Sequence, residues 1–493
     1  MSGVNQTRVK TLREGIDGWL VTVESSMERL AFGGTPVRRP LARRGEVLVG
    51  ASEPDDRRGE RYDRVAFSAL MAFLVVLFLR PQDTLPFLAP LHLADISGTL
   101  ALVALVIGRA NRGATILTTS ATLAAVLAFG FLMLATAPFS TWPGGSVSVF
   151  TEVFSKVMLI FAVIVNTVTT RRRLESTINI IVIGTSYIAL RAVFDYARGV
   201  NLVEGGRVTG AVGGLFGNPN DMALNMVAFL PLAIVVALGV GPAVMRGLAL
   251  LGVPAIALAI VFSKSRGGTV GLAAMLLVFL YQLRRLRPGV AALIVVASLA
   301  AVPLLPQSFS DRMSSILNPE ADPTGSREAR KRALREAYQT YRENPLIGVG
   351  AGQFENYKPD ERQEAWRETH NAVLQVAAEM GTIGLVVFAF IVGSGFAAAV
   401  AGGARLRRTK ARLHKTGHRR PAGGEGRGTL ELFAAALVAS LVGWLVASMF
   451  ASVAYYWTLY LVIGLAIALR NITERYTPLG GASLGKPSTL RAA

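Results

Sequence analysis

Residues 222–287 read MALNMVAFLPLAIVVALGVGPAVMRGLALLGVPAIALAIVFSKSRGGTVGLAAMLLVFLYQLRRLR, three long apolar runs separated by two short polar junctions. A helix of about twenty apolar residues matches the roughly 30 Å hydrocarbon thickness of a bilayer. The runs near 222–239, 243–262 and 267–283 therefore read as successive membrane helices. Arg246 stands by the first junction, Lys264 and Arg266 lie in the second, and Arg284, Arg285 and Arg287 close the third run.

The same pattern extends both ways along the 493 residues. Further apolar runs lie near 65–79, 88–108, 115–137, 150–168 and 174–196 on one side, and near 288–305, 372–400, 429–450 and 453–470 on the other. The expected fold is an all-α polytopic membrane protein with about twelve transmembrane helices. A composition of 52% hydrophobic and 17% charged residues fits that class and excludes an ordinary soluble multidomain chain. The net charge of +19 falls in short clusters between apolar runs, which points to topology and not to nucleic-acid binding. With no cysteine, disulfides and thiolate metal sites are excluded.

Alternate junctions differ sharply in basic content, and that difference sets an orientation. One set holds Arg109, Arg112, Arg171 to Arg173, Arg246, Arg284, Arg285, Arg287 and nine Lys and Arg between Arg405 and Arg427, eighteen in all. The other holds Arg80, Arg198, Arg207, Lys264 and Arg266, which is five. The richer set is expected to face the cytoplasm of a bacterial inner membrane, with both termini, and the 306–371 segment is expected outside. The expected organisation is a cytoplasmic segment 1–64, a transmembrane unit 65–470 with a cytoplasmic loop 401–428, and a cytoplasmic tail 471–493. Ile16, Leu20, Val23, Met27 and Leu30 have helical spacing, so the first segment reads either as a surface-lying helix or as disorder. Within 306–371, Ser326 to Arg342 reads as an exposed helix stopped by Asn344-Pro345.

Polar groups in or beside apolar runs are costly and come first as functional candidates. Lys264 and Arg266 sit in an outer turn where the orientation bias disfavours cations, so they read either as an anion-binding pair or as snorkelling residues. Arg207 lies in Gly205-Gly206-Arg207-Val208-Thr209-Gly210, ahead of Asn218, Asn220 and Asp221, which precede a helix. Glycines permit close backbone approach, and a helix N-terminus favours anions. His370, in Glu368-Thr369-His370-Asn371, stands where the long outer segment meets the helix carrying Glu379. It reads either as a capping residue or as a catalytic one. Arg191 with Asp195, and Glu152 with Lys156, have i,i+4 spacing and read first as structural pairs. His414 and His418 have Gly417 between them and make a poor metal pair. Gly348-Val349-Gly350-Ala351-Gly352 mimics a nucleotide loop but has neither the preceding strand nor the following helix of one.

Taken in order, these outer motifs resemble the O-antigen ligase and O-antigen polymerase superfamily of bacterial membrane glycosyltransferases. The residues that carry the likeness are Arg207 to Gly210 with Asn218-Pro219-Asn220, Ser265-Arg266, Asn344 to Gly350, Thr369-His370-Asn371 and Glu379-Met380-Gly381. The resemblance spans roughly residues 65–470. It implies a donor glycan linked to undecaprenyl pyrophosphate, an acceptor that is another glycan or a lipid core, and no metal or other cofactor. Other polysaccharide assembly proteins are possible partners. On that reading His370 is the catalytic base, Arg207 and Arg266 hold the pyrophosphate, and Lys264, Asn218, Asn220, Arg191 and Glu379 support them. The motifs do not separate polymerase from ligase. The main rival is a transporter or flippase of a lipid-linked glycan. Such proteins place their site near the bilayer midplane, whereas here the unusual polar residues gather at one interface. A non-catalytic scaffold would leave Arg207, Arg266 and His370 replaceable.

Overall fold

Most of the described length of each membrane run is helical in the computed structural model, which describes residues 54–115, 120–203, 205–210, 213–239, 242–317, 326–362, 367–415 and 424–476. The long helices are α1 Pro54–Leu79, α2 Leu93–Ala110, α3 Ala121–Thr136, α4 Ser155–Thr167, α5 Arg171–Arg198, α6 Pro219–Ala237, α7 Ala243–Ser263 and α8 Arg266–Leu286. They continue with α9 Pro288–Ala301, α10 Gln307–Leu317, α11 Ser326–Glu343, α12 Ala372–Lys415, α13 Gly424–Ser448 and α14 Trp457–Tyr476. Strand structure among the described residues is limited to the two-residue pair β1 Leu202–Val203 and β2 Arg207–Val208. Among the described residues ten helical stretches are long and apolar enough to cross a membrane, and the pair Pro288–Leu304 and Gln307–Ser314, bent by 99°, passes the same test only when taken together, as a broken span or a re-entrant loop. The chain is a multi-pass, all-α membrane protein.

Burial separates centre from rim. In α6 and α13, 83% and 78% of the apolar window is enclosed by protein, against 22% for α8. These two helices form the axis on which α7, α8, α12 and α14 pack. Two hydrogen bonds between polar side chains link helices inside the bundle. The Thr458 hydroxyl donates to Asn225 between α14 and α6, and Thr122 of α3 meets Ser394 of α12 at 2.9 Å.

The helix α12 contains the decisive irregularity. Gly381 departs from helical geometry, with φ 62° and ψ −165°. In an unbroken helix the Thr382 and Ile383 amides would donate to the Ala378 and Glu379 carbonyls. Here Thr382 N–H donates to Pro345 O at 2.8 Å and Ile383 N–H to Leu346 O at 3.3 Å. The abandoned carbonyls accept from Val349 N–H at 3.0 Å and Gly350 N–H at 2.9 Å. The 345–350 loop thus enters the break and satisfies all four groups, which an apolar environment could not leave bare. Its other side is held by Thr141 N–H donating to Val349 O at 2.9 Å.

Several expectations need correction. The first span starts at Pro54, so the boundary at 65 falls inside a helix, and the rest of the proposed N-terminal segment lies outside the described residues. The 150–168 span is preceded by a short helix, Pro143–Ser148, and a π-helical turn, Val149–Phe154. That turn changes the side-chain register, so Glu152 does not pair with Lys156. Glu152 accepts from Ser148 Oγ at 2.8 Å, and Lys156 pairs with Asp95 at 3.0 Å. The supposed connector 401–428 is helical as far as Lys415 and again from Gly424. The last span begins at Trp457 because residues 449–456 form a turn.

The latch generates a stability prediction. A Cβ at Gly348 would lie 2.3 Å from the Glu379 carbonyl carbon, and one at Gly381 would lie 2.3 Å from the Leu346 carbonyl group. Both glycines also have positive φ. Gly348→Ala and Gly381→Ala are each expected to cost about 2 kcal/mol or more, combining a backbone clash with left-handed strain. Thermal unfolding in detergent should drop by several degrees for both. Gly393→Ala, where a Cβ meets nothing within 4 Å, should behave like wild type. Equal melting temperatures for all three variants would refute the latch.

Candidate functional site

The candidate residues are positioned by helix ends. Asn218 caps α6, accepting from Asn220 N–H. Ser265 caps α8, accepting from Gly268 N–H. Asn371 caps α12, its Oδ1 accepting from Val373 and Leu374 N–H at 3.0 Å each. Side-chain caps of this kind satisfy the free amides of a first helical turn. They account for why these motifs sit where chain segments enter the bundle.

The hairpin carrying Arg207 is tied to α5. Buried Asp195 pairs with Arg191 at 3.1 Å and accepts from Asn201 Nδ2 at 2.8 Å. The Asn201 carbonyl in turn accepts from Thr209 N–H at 3.0 Å and Thr209 Oγ1 at 3.1 Å. Arg191 therefore acts on the hairpin and not directly on the cations. From β2, Arg207 Nε donates to Ser263 O at 3.0 Å and its Nη2 to Asn220 Oδ1 at 2.7 Å. Ser265 Oγ donates to the same Asn220 oxygen at 3.0 Å.

Lys264 occupies the left-handed turn after α7, with φ 48°. Only 6% of it is exposed, and its Nζ donates to Gly205 O at 2.9 Å. Arg312 of α10 donates to Lys264 O at 3.0 Å. Arg207 and Arg312 are thus gathered on the C-terminal carbonyls of α7, where the helix dipole favours cations, and the Lys264 ammonium sits on the Gly205 carbonyl of the hairpin. Burial, and then Arg312 and Arg207, hold the Lys264 ammonium below its usual range. Arg312 was not singled out from the sequence, because nothing distinguishes it from the other charges of the long outer segment.

Arg266 opens α8 at its first position, and the following Gly267 backs onto Phe450. His370 meets the same 449–456 turn elsewhere. Its backbone N–H donates to Ser452 Oγ at 2.9 Å, Thr369 Oγ1 lies 3.0 Å from that hydroxyl, and Asn371 Nδ2 donates to Met449 O at 3.4 Å. The His370 backbone is left-handed, with φ 51°. Burial, and then Arg330 and Arg367, push its imidazole down to about 4. It is therefore neutral near pH 7. Glu368 is shifted the other way, upward, by burial and by Glu355. The Tyr456 hydroxyl is pushed up to about 12 by burial and then by Glu368 and Asp221. Ser452 is a further residue of this region that sequence reasoning did not select, and Glu368 and Asp221, which lie within its quoted motifs, were given no role of their own. Glu379 lies apart from the cations. Its carboxylate accepts from Gly352 N–H at 2.9 Å and so belongs to the latch.

Comparison with known families bears on this geometry. Residues 248–389 match a family described as O-antigen ligase. That segment holds Lys264, Arg266, Arg312, His370 and both sides of the latch. Residues 248–389 are an O-antigen ligase family domain. Residues 64–207, ending on Arg207, match a family of unknown function (DUF5935). No curated protein matches the chain. The match over residues 248–389 supports glycosyl transfer of the O-antigen ligase or polymerase type in surface polysaccharide assembly.

A titration follows from the surroundings of His370. Between about pH 6.5 and 4 the unfolded chain takes up a proton that the folded site refuses, so this group lowers stability as pH falls through that window. With His92, His414 and His418 replaced by Gln, the remaining imidazole resonances should titrate nearer pH 4 than 6.5. A midpoint at or above 6.5 would show that the ring is neither buried nor facing Arg330 and Arg367.

Proposed function

We propose that residues 65–470 form the catalytic unit of a glycosyltransferase that moves a glycan from undecaprenyl pyrophosphate to an acceptor hydroxyl on the outer face of the bacterial inner membrane. Both termini then lie in the cytoplasm, in keeping with the distribution of basic residues. The observation that carries the reading is the cation group on the α7–α8 turn, where Arg207 reaches Ser263 O from outside the segment matched to O-antigen ligase and Lys264 and Arg266 lie within it.

In this mechanism Arg207 and Arg266 bind the donor pyrophosphate. A guanidinium offers a planar fork matched to phosphate oxygens, and its effect grows in a partly dry site as charge builds on the leaving group. Lys264, held beside Arg207 and Arg312, adds a third positive charge. The acceptor oxygen attacks the anomeric carbon while the bond to the pyrophosphate oxygen breaks, and that electron pair leaves with the polyprenyl pyrophosphate. His370 takes the hydroxyl proton. A single displacement of this kind inverts the anomeric centre.

The neutral state of His370 suits a base and disfavours the role of a phosphate-binding imidazolium. An imidazole that binds protons only near pH 4 is weak for the task in the empty site. The arriving dianion opposes the field of Arg330 and Arg367 and raises its proton affinity when catalysis needs it.

In purified protein at normal yield, Arg207→Ala, Arg266→Ala and Arg266→Lys are each expected to lower turnover on a lipid-pyrophosphate donor about a hundredfold or more, because Lys keeps the charge but not the fork. His370→Gln should cost roughly a hundredfold with donor binding retained. Wild-type activity should fall as pH is lowered, never as it is raised through the imidazole range. Unchanged turnover in His370→Gln, or in both arginine-to-alanine variants, would overturn the assignment.

A further inference from the structure

A second polar site lies away from the arginines, in the segment matched to the family of unknown function. A cavity of about 400 Å³ opens between α2 and the π-helical turn Val149–Phe154 that leads into α4, with Phe73 of α1 among its walls. The volume is in the range of small-ligand pockets. Its polar residues are Asp95, Thr99, Thr151, Glu152, Ser155 and Lys156.

Two features set this pocket apart from an ordinary surface depression. The first is depth. Asp95 lies fourteen residues before Arg109 on the same helix, a rise of about 21 Å, short of the roughly 30 Å hydrocarbon thickness. The charges thus sit within the leaflet opposite Arg109, where ionisable groups are costly and normally line a cavity or pathway. The second is incomplete neutralisation. Lys156 pairs with one Asp95 oxygen at 3.0 Å, His92 Nδ1 lies 3.5 Å from the other, and the Lys156 and Asp95 side chains remain 47% and 43% exposed. Glu152 accepts a hydroxyl from Ser148 and has no ion-pair partner among the described residues. The π-helical turn, a feature that often marks functional sites, takes Glu152 out of the spacing that would have paired it with Lys156.

Two carboxylates and one ammonium at lipid depth call for a ligand that brings its own cation next to its own anion. We propose that this cavity is a headgroup site for a zwitterionic aminophospholipid, with the primary ammonium held by Glu152 and Asp95 and the phosphodiester facing Lys156. A primary ammonium donates three hydrogen bonds, which the two carboxylates and the Thr and Ser hydroxyl oxygens accept. A trimethylated ammonium donates none. An anionic lipid would set its phosphate against Glu152 with no cation to offset it. A ligand of this class would arrive from the bilayer.

Native mass spectrometry of the delipidated full-length protein tests this, using phosphatidylethanolamine, phosphatidylcholine and phosphatidylglycerol of identical acyl chains. The wild type should retain phosphatidylethanolamine several-fold over the other two. Glu152→Gln should shrink that preference and the Asp95→Asn/Glu152→Gln pair should abolish it. Lys156→Gln should weaken phosphatidylethanolamine and phosphatidylcholine alike. Equal retention of the three lipids by the wild type, a higher affinity for phosphatidylglycerol, or a preference unchanged in the double variant would each overturn the proposal. The wild-type comparison decides even if a variant fails to fold. None of these outcomes depends on the assignment of Arg207, Arg266 or His370.

Discussion

Four backbone hydrogen bonds across the break in α12 hold the arrangement together. A helix long and apolar enough to cross a bilayer cannot open at one residue unless something replaces its internal bonds. The 345–350 loop does so, trading the two missing rungs for four bonds of its own. Gly381 makes the break, and Gly348 lets the two backbones approach. The same loop rests on Thr141 and sends Gly352 to the Glu379 carboxylate. A stiff segment of about two and a half turns then separates the latch from the cap that carries His370. The position of the His370 backbone is thereby tied to the 306–371 segment.

The broken helix also bears on what kind of protein this is. Transporters use discontinuous helices whose exposed ends bind substrate near the midplane. Here the exposed ends are occupied by the chain's own loop, so the break serves as an anchor. The cations gather elsewhere, on the C-terminal carbonyls of α7 and at the start of α8. His370 and the residue after Arg266 both abut the 449–456 turn. An O-antigen ligase domain accounts for this combination better than a carrier does.

Much of the architecture was legible because apolar length and polar breaks are local signals. The cap residues Asn218, Ser265 and Asn371 are local too, since each acts on amides two or three positions away. Arg312 was not legible, because its value comes from α10 folding back towards Lys264 across nearly fifty residues. Ser452 was hidden in the same way. The Glu152–Lys156 pairing failed for a local reason: i,i+4 spacing assumes an α-helix, and a π-helical turn breaks that assumption. Resemblance grouped Asn344 to Gly350 with Glu379-Met380-Gly381, but only the structure supplies the reason, which is that the first stretch fills a gap in the second.

The most direct test of the account is the fate of the donor's anomeric bond. Purified full-length protein in nanodiscs would be given a polyprenyl-pyrophosphate-linked oligosaccharide labelled at its anomeric carbon, together with acceptor glycan. The account predicts release of polyprenyl pyrophosphate and a new glycosidic bond of inverted configuration. An intact donor that has only moved between leaflets, or a product that keeps the donor's configuration, would contradict it.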